Sequence, residues 1–165
     1  MAARESVMGA VVRYGSRMAP PRRRSRGGRC GLTAADWRLL VAVAVAQVVA
    51  AAALRAMPLR ALRVRVSRCH HVARLLVRDS DKRIAWAIEA SGRRLGRLST
   101  CLIRALVAEL VLDSNGGPVS LTIGVRRTAA GALEAHAWVA RQDRVLIGAT
   151  TGAYVPLVTW TSRPA

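Results

Sequence analysis

The sequence predicts an α+β domain, with helices first and an antiparallel sheet after them. Apolar residues recur every third or fourth position as far as Leu112, which is typical of helices, and every second position from Val119, which is typical of half-buried strands. Between these two regions, Asn-Gly-Gly-Pro at residues 115–118 interrupts the helical pattern. A length of 165 residues allows one domain with a modest core.

The chain divides into three segments. Residues 1–31 end in APPRRRSRGGRCG, which is rich in Pro, Gly and Arg and has no apolar period, so we expect a disordered basic arm. Residues 32–98 are expected to form a helical part. Residues 99–160 are expected to form a helix that begins near a cysteine and an antiparallel meander that carries a histidine. Residues 32–160 together are expected to make one domain.

The net charge of +18 comes from 26 Arg and one Lys. So strong a use of Arg, beside many Ala, Val and Gly, is typical of a GC-rich genome. The chain has four Trp, two Tyr and no Phe, few of the aromatic residues that interleave with basic ones in nucleic-acid binders. We therefore expect no nucleic-acid partner, whereas an acidic peptide or a membrane surface would suit the charge.

The three cysteines, Cys30, Cys69 and Cys101, are odd in number and widely spaced, which argues against a disulfide scaffold. No pair of them has the spacing of a zinc site. His70 and His71 follow Cys69, but neighbours on a helix point about 100° apart and do not readily chelate one ion. We expect a protein of the reducing cytoplasm with no metal and no cofactor.

The first helix is predicted within LTAADWRLLVAVAVAQVVAAAALRAMP. Thr33 can cap it, with Asp36 at the third position as in a capping box, and Pro58 follows its end. The apolar run from Leu39 to Leu54, broken by Gln47, would be about 24 Å long, whereas a bilayer core is about 30 Å thick. We therefore expect a buried helix, with membrane association through this run as the alternative.

Two further helices are predicted before the last cysteine. From Arg60 to Arg78, Leu and Val recur every third or fourth position in a basic background. The next helix begins at Ser80 or Asp81, either of which can cap it, and places Ile84 and Ile88 on one stripe.

The stretch STCLIRALVAEL places Cys101 in the first turn of an amphipathic helix, with Ser99 or Thr100 as its cap. The unpaired N–H groups and the dipole at a helix N-terminus favour a thiolate over a thiol whose ordinary pKa is about 8.5. Leu102 and Leu106 would root the helix in the core. A cysteine in an apolar helix is nevertheless more often an inert hydrophobic residue, so Cys101 is a candidate nucleophile.

The stretches VSLTIGV, LEAHAWV and RVLIG predict three strands. In the second, His136 and Trp138 point to the face opposite Ala135 and Ala137. A strand packed across the cysteine helix can bring the imidazole to the thiol, where it would stabilise a thiolate–imidazolium pair. Trp138 could shield that pair from water.

The stretches STCLIRALVAELVL, GGPVSLTIGVRR, LEAHAWVARQDRVLIG and YVPL closely resemble the transglutaminase-like cysteine peptidases of lasso-peptide biosynthesis. These enzymes are the leader-removing half of the lasso B proteins, here as a stand-alone chain. The resemblance covers about residues 33 to 157.

The resemblance implies a papain/transglutaminase-like fold and a Cys-His-acid triad. Cys101 would attack the carbonyl that joins the leader to the core of a ribosomally made precursor peptide. His136 would take the thiol proton and return it to the leaving amine. Backbone N–H groups at the start of the cysteine helix would hold the oxyanion.

The sequence departs from the family at the third member of the triad. The family often has an acid about a dozen positions after the histidine, where this chain has Gly148 and Ala149. The nearest acid downstream is Asp143, in the RQDR turn. Either Asp143 is the acid, or a backbone carbonyl or a polar side chain such as Gln142 orients His136.

The resemblance also implies partners. Fused members carry a small winged-helix domain that binds the leader, which the basic arm and the Ala-rich helix do not resemble. The expected partners are therefore the precursor peptide, a separate leader-binding protein and an ATP-dependent, asparagine-synthetase-like cyclase. Two alternatives are a non-catalytic scaffold of the same fold that presents the precursor to the cyclase, and a small basic protein associated with a membrane or with nucleic acid.

Overall fold

The computed structural model describes residues 31–66, 73, 77, 79–142 and 144–162. In these residues the helices are α1 (Ala34–Ala56), α2 (Leu59–Val66), α3 (Asp81–Leu95) and α4 (Cys101–Gly116), with a 3-10 turn at Gly96–Leu98. The strands are β1 (Ser120–Arg127), β2 (Leu133–Arg141), β3 (Arg144–Ile147) and β4 (Val155–Thr161). Helices thus precede an antiparallel sheet, which confirms the predicted α+β class. The predicted basic arm except Gly31, and Cys30, Cys69, His70, His71 and Asp143, lie outside the described residues.

Helix α1 begins as its sequence predicts. The Thr33 hydroxyl accepts the Asp36 N–H at 3.2 Å, and an Asp36 carboxylate oxygen accepts the Thr33 N–H at 2.9 Å. This reciprocal pair is a capping box, which satisfies two N–H groups that have no partner within the helix. The helix ends at Ala56, just before Pro58.

Helix α1 is buried along one face and exposed along the other. The buried face consists of Leu39, Leu40, Val43, Gln47 and Ala51. The large exposed residues are Trp37, Val41, Val45, Val48 and Val49. By length and composition the helix could also cross a membrane. The prediction of a buried helix is therefore correct for one face.

Helix α3 packs against α1 through the stripe that the sequence predicts. The Ser80 hydroxyl caps the helix by accepting the Arg83 N–H. Ile84 and Ile88 are both completely buried in the core cluster. The predicted Arg60–Arg78 helix is seen as α2, and most of the chain beyond Val66 in that range lies outside the described residues.

The sheet has the strand order β3-β2-β1-β4 with every neighbouring pair antiparallel. The first three strands form the predicted meander. After β3, the chain crosses to the opposite edge, where β4, a strand that the sequence patterns do not predict, pairs with β1. Strand β2, which carries His136, lies between β1 and β3 and is held on both sides by its neighbours, and β4 covers the outer edge of β1.

Helix α4 packs on the sheet and shares its core. Ile103 and Leu106 are buried, and Leu106 belongs to the same cluster as Ala137 and Val139 of β2. This packing brings the start of α4 to the middle of β2, which is the arrangement that the sequence patterns predict for the cysteine and the histidine.

An ion pair links α2, α4 and the sheet. The Arg63 guanidinium lies 2.5 Å from a carboxylate oxygen of Glu109, whose side chain is buried. The same guanidinium lies over the Trp160 ring of β4, 4.5 Å from its centroid. The arginine thus compensates the buried charge of Glu109 and closes β4 against the helices.

Candidate active site

Cys101 is the first residue of α4. Thr100 is the N-cap, and its hydroxyl accepts the Ile103 N–H at 3.4 Å. Of the two caps that the sequence allows, Thr100 therefore takes the role and leaves Ser99 free for another contact. The half-buried thiol lies where the unpaired N–H groups and the dipole of the helix favour negative charge.

The imidazole of His136 lies beside the Cys101 thiol, and the two side chains interact. This interaction is the largest cause of a lowered thiol pKa, burial opposes it, and the backbone N–H groups of Ala137 and Leu102 lower the pKa further. The same interaction is the largest cause of a raised His136 pKa; burial opposes that shift and the Gly148 carbonyl adds to it. The two shifts favour a thiolate beside an imidazolium. The structure therefore brings together the two residues that the sequence singled out.

A backbone carbonyl holds the other side of the imidazole. His136 Nε2 lies 2.9 Å from the carbonyl oxygen of Gly148, twelve positions further along the chain. Because a carbonyl can only accept, Nε2 carries a proton, which leaves Nδ1 as the basic nitrogen of the neutral ring. Of the orienting groups that the sequence left open, the structure provides the carbonyl. Asp143 lies outside the described residues, and its role as a triad acid stays a prediction.

Gly148 can present this carbonyl because it is a glycine. Its φ is +77°, a conformation that costs other residues free energy. A Cβ atom there would lie 2.6 Å from the Ala137 carbonyl oxygen and 3.1 Å from Trp138. The signal in the sequence was a glycine at the end of a strand, in the position where an acid was expected.

Two aromatic rings flank His136. The Tyr154 ring centroid lies 5.3 Å away, tilted by 36°, and the Trp138 centroid lies 6.4 Å away in a stacked arrangement. Trp138 is 5% exposed, and its ring occupies the space above Gly124, where a Cβ atom would lie 2.8 Å from it. Trp138 shares a face with His136 as predicted, and β1 leaves room for it by having a glycine.

Tyr154 was missed as a site residue, and the structure connects it to an ion pair. Arg126 and Glu134, opposite each other on β1 and β2, approach within 2.8 Å. The Arg126 guanidinium also lies 5.0 Å from the centroid of the Tyr154 ring. The pKa of Glu134 is lowered first by its hydrogen bond with Arg126 and then by one with the Tyr154 hydroxyl. The Arg126 guanidinium thus packs on the Tyr154 ring, which itself lies beside His136.

The arrangement suits covalent chemistry at a carbonyl group. It combines an activated sulfur, an acid–base imidazole and backbone N–H groups at a helix start, which are the parts that a thiol acyl-transfer enzyme needs. Within the described residues no group of His, Cys, Asp and Glu side chains could hold a metal ion.

Comparison with known proteins identifies the family. A family model described as the transglutaminase-like superfamily matches residues 44–159, from the middle of α1 to β4, and this range includes both Cys101 and His136. No curated protein and no solved structure gives a significant match. This fold is typical of cysteine proteases and transferases. Since the match spans most of its length, the chain belongs to the transglutaminase-like superfamily.

Proposed function

We propose that this protein is a cysteine peptidase that removes the leader from a ribosomally made lasso precursor peptide. The observation that carries the proposal is the Cys101 thiol at the start of α4, beside an imidazole that the Gly148 carbonyl holds from the other side. The superfamily supports a peptidase-like activity in general. The stretches STCLIRALVAEL and LEAHAWV support the lasso assignment through the resemblance described above.

In the proposed reaction, the Cys101 thiolate attacks the carbonyl carbon of the bond between leader and core. Backbone N–H groups at the start of α4 bind the resulting oxyanion. The His136 imidazolium protonates the departing amine as the carbon–nitrogen bond breaks, which leaves the leader as a thioester on Cys101. The neutral imidazole then removes a proton from water, and the hydroxide formed displaces the sulfur.

The partners of the proposed peptidase follow from the same resemblance. We place it in the cytoplasm with the precursor peptide, a separate small winged-helix protein that binds the leader, and an ATP-dependent, asparagine-synthetase-like cyclase. The cyclase would use the amine that cleavage frees. The net charge of +18 would speed association with an acidic leader.

One observation favours a second candidate function, a non-catalytic scaffold that presents the precursor to the cyclase. His136 is held by a carbonyl at the position where the family often has an acid. A carbonyl dipole stabilises an imidazolium less than a full negative charge does. A scaffold would bind the leader-binding partner and the precursor but would cleave nothing.

The first experiment mixes this protein with a precursor peptide and the leader-binding partner and follows the peptide by mass spectrometry. The Cys101→Ala variant is the control. If the free leader appears with the unaltered protein and is absent with the variant, Cys101 is the nucleophile. If the proteins associate but the precursor keeps its full mass, the peptidase proposal is wrong and the scaffold is correct.

A further inference from the structure

A glutamine is completely buried in the most apolar helix of the molecule. Gln47 of α1 has no exposed surface, although its neighbours are Ala and Val. Burying a primary amide costs free energy unless each of its polar atoms has a hydrogen-bond partner. The partners of Gln47 therefore indicate why the residue is there.

Both polar atoms of Gln47 have partners on other elements. Its Nε2 donates to the Ser91 hydroxyl at 2.6 Å and to the Ile88 carbonyl at 3.3 Å, both on α3. Its Oε1 accepts the hydroxyl proton of Ser99, in the segment that leads into α4. Since the Ile88 carbonyl can only accept, the amide has one orientation, with its oxygen toward Ser99.

The position of Gly92 allows this contact. A Cβ atom on Gly92 would lie 2.8 Å from the Ser99 hydroxyl and 3.3 Å from the Gln47 amide oxygen. A glycine inside a helix costs about 1 kcal/mol relative to alanine. At this position the glycine leaves space for the Gln47–Ser99 hydrogen bond, and that bond offsets the cost.

Ser99 lies two residues before Cys101 and is held by two hydrogen bonds. The residue is 4% exposed; its hydroxyl donates to Gln47 in the core, and its N–H donates to the carbonyl of Gly96, in the preceding 3-10 turn, at 3.0 Å. Thr100 and Cys101 follow directly. Whatever holds Ser99 therefore restrains the first turn of α4, which matters because helix ends fray.

We infer that Gln47 is a positioning residue that acts through Ser99 to hold the sulfur of Cys101 against His136 and the N–H groups of Leu102 and Ala137. The inference rests on the proposed function only in treating Cys101 as the reactive group. A reactive atom that moves by about 1 Å can lose on the order of a hundredfold in rate. The helix start must therefore be anchored to something more rigid than its own cap, and the α1–α3 core is that anchor.

The test measures how fast iodoacetamide alkylates Cys101 as a function of pH. All proteins carry Cys30→Ser and Cys69→Ser, so that one thiol reacts, and near-ultraviolet circular dichroism verifies that each is folded. The variants are Ser99→Ala, Gln47→Leu and Ser91→Ala. The last is the matched control, because it removes a hydrogen bond to the same amide on the α3 side.

Ser99→Ala and Gln47→Leu are expected to raise the midpoint of the alkylation profile toward that of a free thiol and to slow alkylation severalfold at neutral pH. Ser91→Ala is expected to leave the midpoint unchanged. The double variant Gln47→Leu/Ser99→Ala should shift it no further than either single change, since both remove one contact. If Gln47→Leu does not fold, the comparison of the alkylation midpoints of Ser99→Ala and Ser91→Ala is sufficient to test the inference.

An unchanged midpoint in Ser99→Ala, or an equal shift in Ser91→Ala, would overturn the inference. The outcome is independent of the proposed function. A low midpoint that depends on Ser99, in a protein that cleaves no precursor, would refute the peptidase and keep the positioning role. If Cys101 cleaves the precursor and Ser99→Ala leaves the alkylation midpoint unchanged, the peptidase is supported and the positioning role of Gln47 is refuted.

Discussion

The cysteine and the histidine of the candidate site are positioned in different ways. Cys101 is held from the helical layer by side chains, with the Thr100 hydroxyl as cap and, one residue earlier, Ser99 bonded to Gln47. His136 is held from the sheet by the main-chain carbonyl of Gly148 and by flanking rings. A hydrogen bond from a side chain requires a particular residue type, whereas one from a main-chain carbonyl requires a particular backbone conformation.

This difference has an electrostatic consequence. A carboxylate partner would stabilise the imidazolium through a full charge, but a carbonyl supplies a dipole. In agreement, the largest cause of the raised His136 pKa is the interaction with the Cys101 side chain, and the Gly148 carbonyl contributes less. The two halves of the site therefore depend on each other, and the cysteine contributes to the charge state of its own base.

The largest expected effect comes from removing the imidazole. His136→Ala should lower precursor cleavage by at least about a hundredfold, because it removes the general acid and base. It should also return the alkylation midpoint of Cys101 toward that of a free thiol, since the interaction with His136 is the main cause of the lowered pKa. Alkylation of the variant with Cys30 and Cys69 replaced by Ser measures this, and an unchanged midpoint would contradict the pairing.

In the unaltered protein the same pair predicts a bell-shaped pH dependence of kcat/KM. Activity should rise as the thiol ionises, with a midpoint below that of a free thiol, and fall as the imidazolium loses its proton, with a midpoint above 6.5. The two midpoints of this profile belong to the coupled pair of Cys101 and His136 and not to either residue alone. Loss of the alkaline limb alone would mean that proton donation by His136 does not limit the rate.

The next largest effect is expected from disturbing the hydrogen bond between the Gly148 carbonyl and His136. Gly148→Ala should lower activity at least tenfold, because its Cβ atom would meet the Ala137 carbonyl oxygen at 2.6 Å and turn the Gly148 carbonyl away from His136. Gly131→Ala is the matched control, since Gly131 has φ +81° and nothing within 4 Å of the added atom. Strain at positive φ costs about 1–2 kcal/mol at either position.

Urea unfolding and peptide cleavage are measured for both glycine variants. The control should lose stability and keep its activity, whereas Gly148→Ala should lose both. Equal activity in the two variants would show that the carbonyl of Gly148 does not orient the histidine.

A smaller effect is expected from the ring beside His136. Tyr154→Ala removes the ring 5.3 Å from the imidazole and frees the histidine to rotate, so activity should fall severalfold. Tyr154→Phe keeps the ring and removes only the hydroxyl that reaches Glu134, so activity should stay near that of the unaltered protein. The ratio of the two cleavage rates separates ring packing from hydrogen bonding, and an equal loss in both would assign the role to the hydroxyl.

The smallest effect is expected at the acid that the sequence proposed. If the Gly148 carbonyl is the partner that orients His136, Asp143→Asn removes no group on which the imidazole depends, and cleavage should change by no more than about twofold. The measurement is kcat/KM beside that of Gly148→Ala. A loss as large as that of the glycine variant would return Asp143 to the triad.

Much of the site follows from local patterns. Thr33, Ser80 and Thr100 begin helices because a hydroxyl followed by a helical period satisfies unpaired N–H groups within one turn. Alternation along LEAHAWV places His136 opposite the core-facing Ala137, as the strand shows. These features depend on contacts between residues a few positions apart, so the sequence alone predicts them, with the choice between neighbouring residues left open at the caps of α3 and α4.

The tertiary structure decided the contacts between distant segments. Periodicity does not specify which strand pairs with which, so the place of β4 beside β1 was not predictable. A carbonyl is present on every residue, so only the fold selects the one on Gly148 as the partner of His136. In the sequence Gln47 only interrupts an apolar run, and its role becomes visible in the fold, which places Ser99 against it. The sequence alone determined which side chains could react; packing over long distances in the chain decided which groups hold them in place.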